Sequence, residues 1–158
     1  MSHDWRRVLS RGERGVVLLV GADREQATIL RRYCRGLVEV PLIAREVSRD
    51  VHGVIEFRNR AALEVVANDA RLIRGRSALA VIGTKAAHWR TGEENASSDA
   101  EVIAAAKPSM AMTPGGGLLI LSSSPYRKSG VMYERWRTLW LGVEAAPTAA
   151  YDLVHENL

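Results

Sequence analysis

RGRSALAVIGTKAAHW, running from Arg74 to Trp89, is the stretch whose reading decides the fold. Ser77 to Ile82 is a short apolar run, and a run of that length reads as a strand buried on both faces of a parallel sheet. In open α/β sheets the C-terminal ends of such strands border the crevice where ligands bind. The chemistry of the chain therefore depends on the residues at that end of the run, Thr84 and Lys85, a hydroxyl and an ammonium.

The surrounding composition is that of one domain. The chain has 158 residues with 47% apolar content, enough for an ordinary buried core. No apolar run reaches the roughly 18 residues needed to cross a bilayer, and the opening Met-Ser-His-Asp-Trp lacks the apolar segment of a secretory signal. The expectation is a cytoplasmic protein with no membrane contact. Cys34 is the single cysteine, which excludes an intramolecular disulfide and a cysteine metal cage. The net charge of +4 is an arginine excess, since lysine occurs only at Lys85, Lys107 and Lys128. A modest positive field suits a polyanion, but the arginines are spread along the chain and form no dense block.

Upstream of the central run, residues 1–14 are polar and Arg-rich. Gly15 to Val20 is a second apolar run of strand length, and Asp23 with Gln26 begins a helix in the manner of a capping box. Ala27, Leu30, Cys34 and Leu37 then share one helix face. The glycine turn before this helix does not make a phosphate loop, because GxxxxGK[ST] occurs nowhere in the chain. Pro41 interrupts the next segment. His52 to Phe57 and Ala61 to Ala67 alternate as two strands joined across Arg58-Asn59-Arg60, a hairpin-length connection. His52 has no second ligand at metal spacing. Asn68-Asp69-Ala70 reads as a turn.

Downstream, Thr91 to Ser97 is a polar loop, and no metal site is read from His88 with Glu93 or Glu94. Ser98 and Glu101 form a capping box for a helix whose apolar face is Val102, Ile103 and Ala106, and Pro108 is expected to close it. Thr113-Pro114-Gly115-Gly116-Gly117 precedes a strand, so it reads as a turn and not as an anion nest. Gly117 to Leu121 is that strand, and it ends in Ser122, Ser123 and Ser124. Ser129 is the expected cap of a last helix carrying Met132, Tyr133, Trp136, Leu139 and Trp140 on one stripe, with Gly142 as its stop.

RGRSALAVI, AAHW and SSDAEVIAAAKPSMAMTPGGGLLILSSSPYRKSGVMYERW, in that order, closely resemble the ATPase domain of tailed-phage terminase large subunits, the motors that package DNA. GERGVVLLVGADREQA resembles the strand and helix that come after Walker A in the same family. The likeness spans about Asp4 to Gly142. It implies an α/β fold with a mainly parallel, RecA-like P-loop NTPase-type sheet, helices on both faces and an inserted hairpin, incomplete at the N-terminus because the Walker A unit is missing. Residues 1–142 are then a partial ATPase domain and 143–158 a C-terminal tail, without the family's nuclease domain. The resemblance also assigns Arg74 and Gly75 as the pair that precedes Walker B. It makes Ser122, Ser123 and Ser124 the coupling motif, and it puts Thr84 and Lys85 where the acidic Walker B pair stands.

Phosphoryl transfer is catalysed by positioning and charge stabilisation, so the loss of its parts can be weighed. Thr-Lys in place of Asp-Glu changes the local formal charge from −2 to +1. A unit charge about 4 Å from another is worth roughly 4 kcal/mol at an effective dielectric near 20, so Mg²⁺ is repelled there. Lys85 is expected to reach solvent, because an unpaired buried ammonium costs several kcal/mol. ATP and Mg belong to the resembled family; for this chain alone no cofactor, no resident metal and no intact catalytic residue are expected. The resemblance implies double-stranded DNA, portal or other terminase subunits as partners, in the cytoplasm of a bacterial host, and a prophage remnant as the origin. Two alternatives stand beside this reading: a non-catalytic DNA- or protein-binding module that keeps the fold, and one part of a split motor whose Walker A sits on another chain.

Overall fold

A computed structural model of the chain describes residues 9–51, 53–89, 98–111, 113 and 116–141. His52, the 91–97 loop with Glu93 and Glu94, Pro114 and Gly115 of the glycine turn, the side chain of Trp140, Gly142 and the 143–158 tail lie outside the described residues, as do residues 1–8 of the lead-in.

The apolar runs become the centre of one sheet. In chain order the strands are β1 (Gly15–Gly21), β2 (Val47–Val51), β3 (Val54–Phe57), β4 (Ala61–Ala67), β5 (Ala78–Thr84) and β6 (Leu118–Ser122). Their order across the six-stranded sheet is β2-β3-β4-β1-β5-β6. β4, β1, β5 and β6 run parallel, while β3 is antiparallel to both β4 and β2. The Arg58-Asn59-Arg60 connection is a hairpin, as its length implies, with Arg60 at a φ of 69°. The fold is thus α/β with a mostly parallel sheet.

Helix α1 (Arg24–Val38) comes after β1 and packs on β1 and β4. Asp23 begins it by accepting the Gln26 amide at 2.7 Å. α2 (Pro41–Ala44) and α3 (Ala70–Ile73) are single turns. Pro41 opens α2 at a position where its missing N–H has no helical partner to lose. α4 (Asp99–Met110) packs on β5 and α3, and α5 (Val131–Leu141) lies against the 3₁₀ turn Ala86–His88. Parallel crossovers are right-handed, so the leftward step from β1 to β4 and the rightward step from β5 to β6 set α1 and α4 on opposite faces.

The two faces are not equally covered. Leu18, Val20, Val66 and Val81 are buried together with Val102, Ala105, Ala106 and Met110 of α4, in one cluster that also holds Ile73 and Trp89. On the α1 side only Cys34 of the predicted stripe is buried, and Leu37 is 63% exposed. The rest of the stripe, Ala27 and Leu30, is only half-buried.

Three local readings are corrected. The edge strand β2 was absent from the alternation pattern, because Ser48 and Arg49 face solvent along it. Pro108 does not close α4 but sits inside it, two residues before its end. Proline removes one bond to the carbonyl four residues back, yet the last turn persists: Met110 is buried in the core, and the Ser109 hydroxyl donates to the carbonyls of Ile73 and Ala105 at 2.9 and 3.0 Å. Ser129 does not cap α5 either. The Val131 amide is taken by Asp99 at 2.6 Å.

Candidate functional site

Register brings the sequence-selected residues to the sheet's C-terminal edge. Ala80 pairs with Leu118, and the ladder ends with Thr84 opposite Ser122. The end of β5 and the end of β6 are therefore neighbours, and Lys85, Ser123 and Ser124 are the residues that leave them. Val20 pairs with Gly83, which sets the end of β1 on the other side of Thr84.

Thr84 is half-buried and donates from Oγ1 to the Val20 carbonyl at 3.3 Å, joining β5 to β1 beyond their last paired residues. Lys85 comes next in the left-handed region, with φ 51° and ψ 37°, and its side chain is exposed. The ammonium reaches water, as an unpaired cation at a strand end must. That left-handed turn starts the 3₁₀ segment Ala86–His88 and swings Trp89 back under the strand.

Trp89 is the residue around which this end is built. Its ring is fully buried, and its indole N–H donates to the Thr84 carbonyl at 3.1 Å, so the one polar atom of a large apolar side chain is satisfied. The ring lies on Gly83: a Cβ there would stand 2.6 Å from Trp89 Cη2 and 2.8 Å from Leu121 Cδ2. Glycine inside a strand often marks a close approach, and Gly83 is the sequence signal that could have identified Trp89.

The serines form a second layer. Ser123 Oγ accepts the Ala87 amide at 3.1 Å and donates to the Ser124 carbonyl at 2.9 Å, tying the exit of β6 to the 3₁₀ turn. Ser124 Oγ lies 3.5 Å from His88 Nε2, and the His88 ring rests on Tyr126 with centroids 4.2 Å apart. Arg127 Nη2 donates to the Trp89 carbonyl at 3.2 Å. The hydroxyl-rich strand end is thus mechanically linked to the segment just beyond Thr84 and Lys85.

At the end of β4 the acid is already committed. Asp69 caps α3 and receives Arg71 through its backbone amide at 2.9 Å and through Nε and Nη2 at 3.0 and 2.8 Å. These bonds, the side-chain ones foremost, hold its carboxyl below the ordinary aspartate range. Among the described residues no group of three or more His, Cys, Asp and Glu side chains is placed to hold a metal ion.

Arg74 and Gly75 are not part of this edge. Arg74 ends α3 and Gly75 turns the chain into β5 with a φ of +76°. The seven residues of β5, at about 3.3 Å each, separate them from Lys85. Beside them Ser77 donates to Glu13, which also accepts the Ser10 amide at 2.9 Å, and these bonds lower the Glu13 carboxyl.

The fold as a whole resembles that of a solved structure. The crystal structure of the HK97 bacteriophage large terminase superposes on 76% of this chain with a TM-score of 0.58 and 15% identity. The fold is terminase-like. The match takes in 24% of that terminase, so this chain spans about a quarter of its length. No family model matches the chain, and no curated protein sequence does.

Proposed function

We propose that this chain is a terminase large-subunit ATPase-domain fragment that keeps the scaffold of a DNA-packaging motor and does not turn over ATP on its own. The observation that carries it is the end of β5. Thr84 spends its hydroxyl on the Val20 carbonyl and Lys85 stands exposed in a left-handed turn, at the two positions where the resembled family has its metal-holding and water-activating acids. The neighbouring carboxylate, Asp69, is held by Arg71. On this reading residues 1–142 are the partial domain and 143–158 a tail, the chain alone binds neither ATP nor Mg, and its partners are double-stranded DNA, portal or other terminase subunits in a bacterial cytoplasm. Ser122, Ser123 and Ser124 then transmit nothing from a nucleotide and serve to close the turn.

Calorimetric titration of ATP with Mg²⁺ into the purified chain tests the proposal. It expects no saturable heat and no phosphate release above a metal-free blank. Magnesium-dependent hydrolysis would overturn it.

A second reading, a non-catalytic binding module, is favoured by the cleft between the 123–128 segment and α5, which has both aromatic and cationic lining. DNA binding whose affinity falls steeply with salt would favour DNA as its partner. The split-motor alternative draws on β6, which ends the sheet among the described strands and carries Leu118 at 53% exposure, leaving room for a strand from another chain. ATP turnover that appears only when a Walker A-bearing chain is added would select it.

A further inference from the structure

The cleft beside the serine turn has a volume of about 530 Å³. It is lined by Ser123, Ser124, Tyr126, Arg127 and Lys128 of the segment that leaves β6 and by Tyr133 and Trp136 of α5. Among the described residues that line it none is acidic, and Arg127 and Lys128 are both exposed. On α5 itself Glu134 is paired with Arg137 at 3.0 Å, so the charges left over among the described residues of the cleft are the cations Arg127 and Lys128.

The rings are arranged for side chains and not for a base. His88 and Tyr126 already lie on one another, and Tyr133 and Trp136 are inclined by 31° with centroids 5.8 Å apart, so neither pair leaves a parallel slot for a planar ligand. The apolar surface also runs on beyond the cleft. Trp136 is 47% exposed, and Leu139, three residues further along the same helix face, is 65% exposed. Three residues of helix rise about 4.5 Å, which extends the track past what a compact ligand covers. Binding surfaces with a buried aromatic anchor and a charged rim are characteristic of peptide docking.

We propose that this cleft docks an acidic peptide segment of a protein partner, its apolar side chains on Tyr133, Trp136 and Leu139 and its carboxylates on Arg127 and Lys128. The proposal goes beyond the motor-scaffold reading and stands whether or not the chain turns over ATP.

The test uses the full chain, with a capped peptide of alternating Glu and Leu, the same peptide with Lys for Glu, ATP, and a single-stranded oligonucleotide as probes. The acidic peptide is expected to bind with one-to-one stoichiometry and to shift the Trp136 indole resonance, assigned with Trp136→Phe. Lys128→Glu, and Arg127→Glu with Lys128→Glu, are expected to weaken it about tenfold or more, equivalent to about 1.4 kcal/mol, and to let the Lys peptide bind. Because Arg127 also holds the Trp89 carbonyl, the Lys128→Glu variant separates charge from fold. Equal affinity for the charge-reversed chains would overturn the proposal, and so would displacement of the peptide by ATP or the oligonucleotide. Residues 142–158 contain Glu144, Asp152 and Glu156 and no Lys or Arg. Binding that emerges only after those three acids are replaced by Lys would assign the cleft to the chain's own segment and refute a separate partner. No binding to either form would refute the proposal outright.

Discussion

Asp99 and Val131, 32 residues apart, are joined by a hydrogen bond of 2.6 Å in which the Val131 amide donates to Asp99 Oδ2, while Oδ1 of the same carboxylate accepts the Ala100 amide at 2.9 Å. One buried side chain therefore serves the N-termini of both α4 and α5. It leaves no room for a side chain between them: Gly130 has a φ of +89°, and a Cβ there would lie 2.5 Å from Asp99 Oδ2. Bonds to a charged group are worth about 1.5–3 kcal/mol, so Asp99→Ala should destabilise the chain by about that amount. Amide exchange should rise first in the opening turn of α5. Unchanged exchange at Val131 would show that α5 is held by its packing alone.

The contact between Gly83 and Trp89 makes a sharper demand. The indole is fully buried with its N–H bound to the Thr84 carbonyl, so the ring cannot withdraw without losing that bond. Gly83→Ala should cost about 1–3 kcal/mol as overpacking and alter the near-ultraviolet circular dichroism of the tryptophans. Ala at the exposed Gly36, with nothing within 4 Å of its Cβ, is the control. In the last turn of α1, where a glycine costs less than in a helix interior, it should leave stability unchanged or raise it by less than about 1 kcal/mol.

These two contacts also mark where the sequence could and could not be read. β1, β5 and the start of α4 were legible because their signals are local: apolar runs of strand length, and a Ser98–Glu101 capping box confined to one turn. The Asp99 bond to Val131 was not legible, since beside Ser98 an aspartate looks like an ordinary first-turn acid. Leu37 has the spacing of a core residue, but spacing cannot reveal how much of a helix face its neighbours cover. The candidate edge was only partly legible. Its residues could be chosen from strand ends, whereas the role of Trp89 depends on a return turn set by the left-handed Lys85.

Lys85 carries that turn at a φ of 51°, a conformation costing an L side chain about 1–2 kcal/mol. Lys85→Gly should therefore raise stability by up to about 1 kcal/mol, offset by the added freedom of the unfolded chain. Lys85→Val should lower it, because a branched Cβ is least tolerated there. Urea midpoints at constant slope measure both. A stabilising Val would contradict the left-handed turn.

Acid should act on the chain through Asp69 and Glu13. Arg71 lowers the Asp69 carboxyl, and the Ser77 hydroxyl with the Ser10 amide lowers that of Glu13. A depressed carboxyl stabilises fully above its unfolded value, about 3.9 for Asp and 4.3 for Glu, and the gain is lost as pH falls through the lower folded value. Asp69→Asn keeps a capping oxygen but removes the charge, so its stability should fall less steeply than wild type below about pH 4. Glu13→Gln should do the same. Parallel curves for wild type and both variants would exclude these carboxylates as the acid-sensitive groups.

The last prediction concerns the pair Thr84 and Lys85 when both are changed to acids. Thr84→Asp with Lys85→Glu restores a formal charge of −2 to the end of β5, yet catalysis needs a phosphate held in place as well as a metal. GxxxxGK[ST] is absent from the chain, so the double variant should release no phosphate from ATP above a metal-free blank. It should also be less stable than wild type by about 1–3 kcal/mol, because the Thr84 hydroxyl now donates to the Val20 carbonyl and an ionised Asp would set an acceptor against an acceptor. Added Mg²⁺ should recover part of that loss if the two carboxylates bind the ion, since a ligand that prefers the folded state stabilises it by mass action. Recovery with magnesium but no turnover would locate the metal site at this strand end and leave the missing phosphate cradle as the cause of inactivity. Turnover by the variant alone would mean that another part of the chain grips the triphosphate.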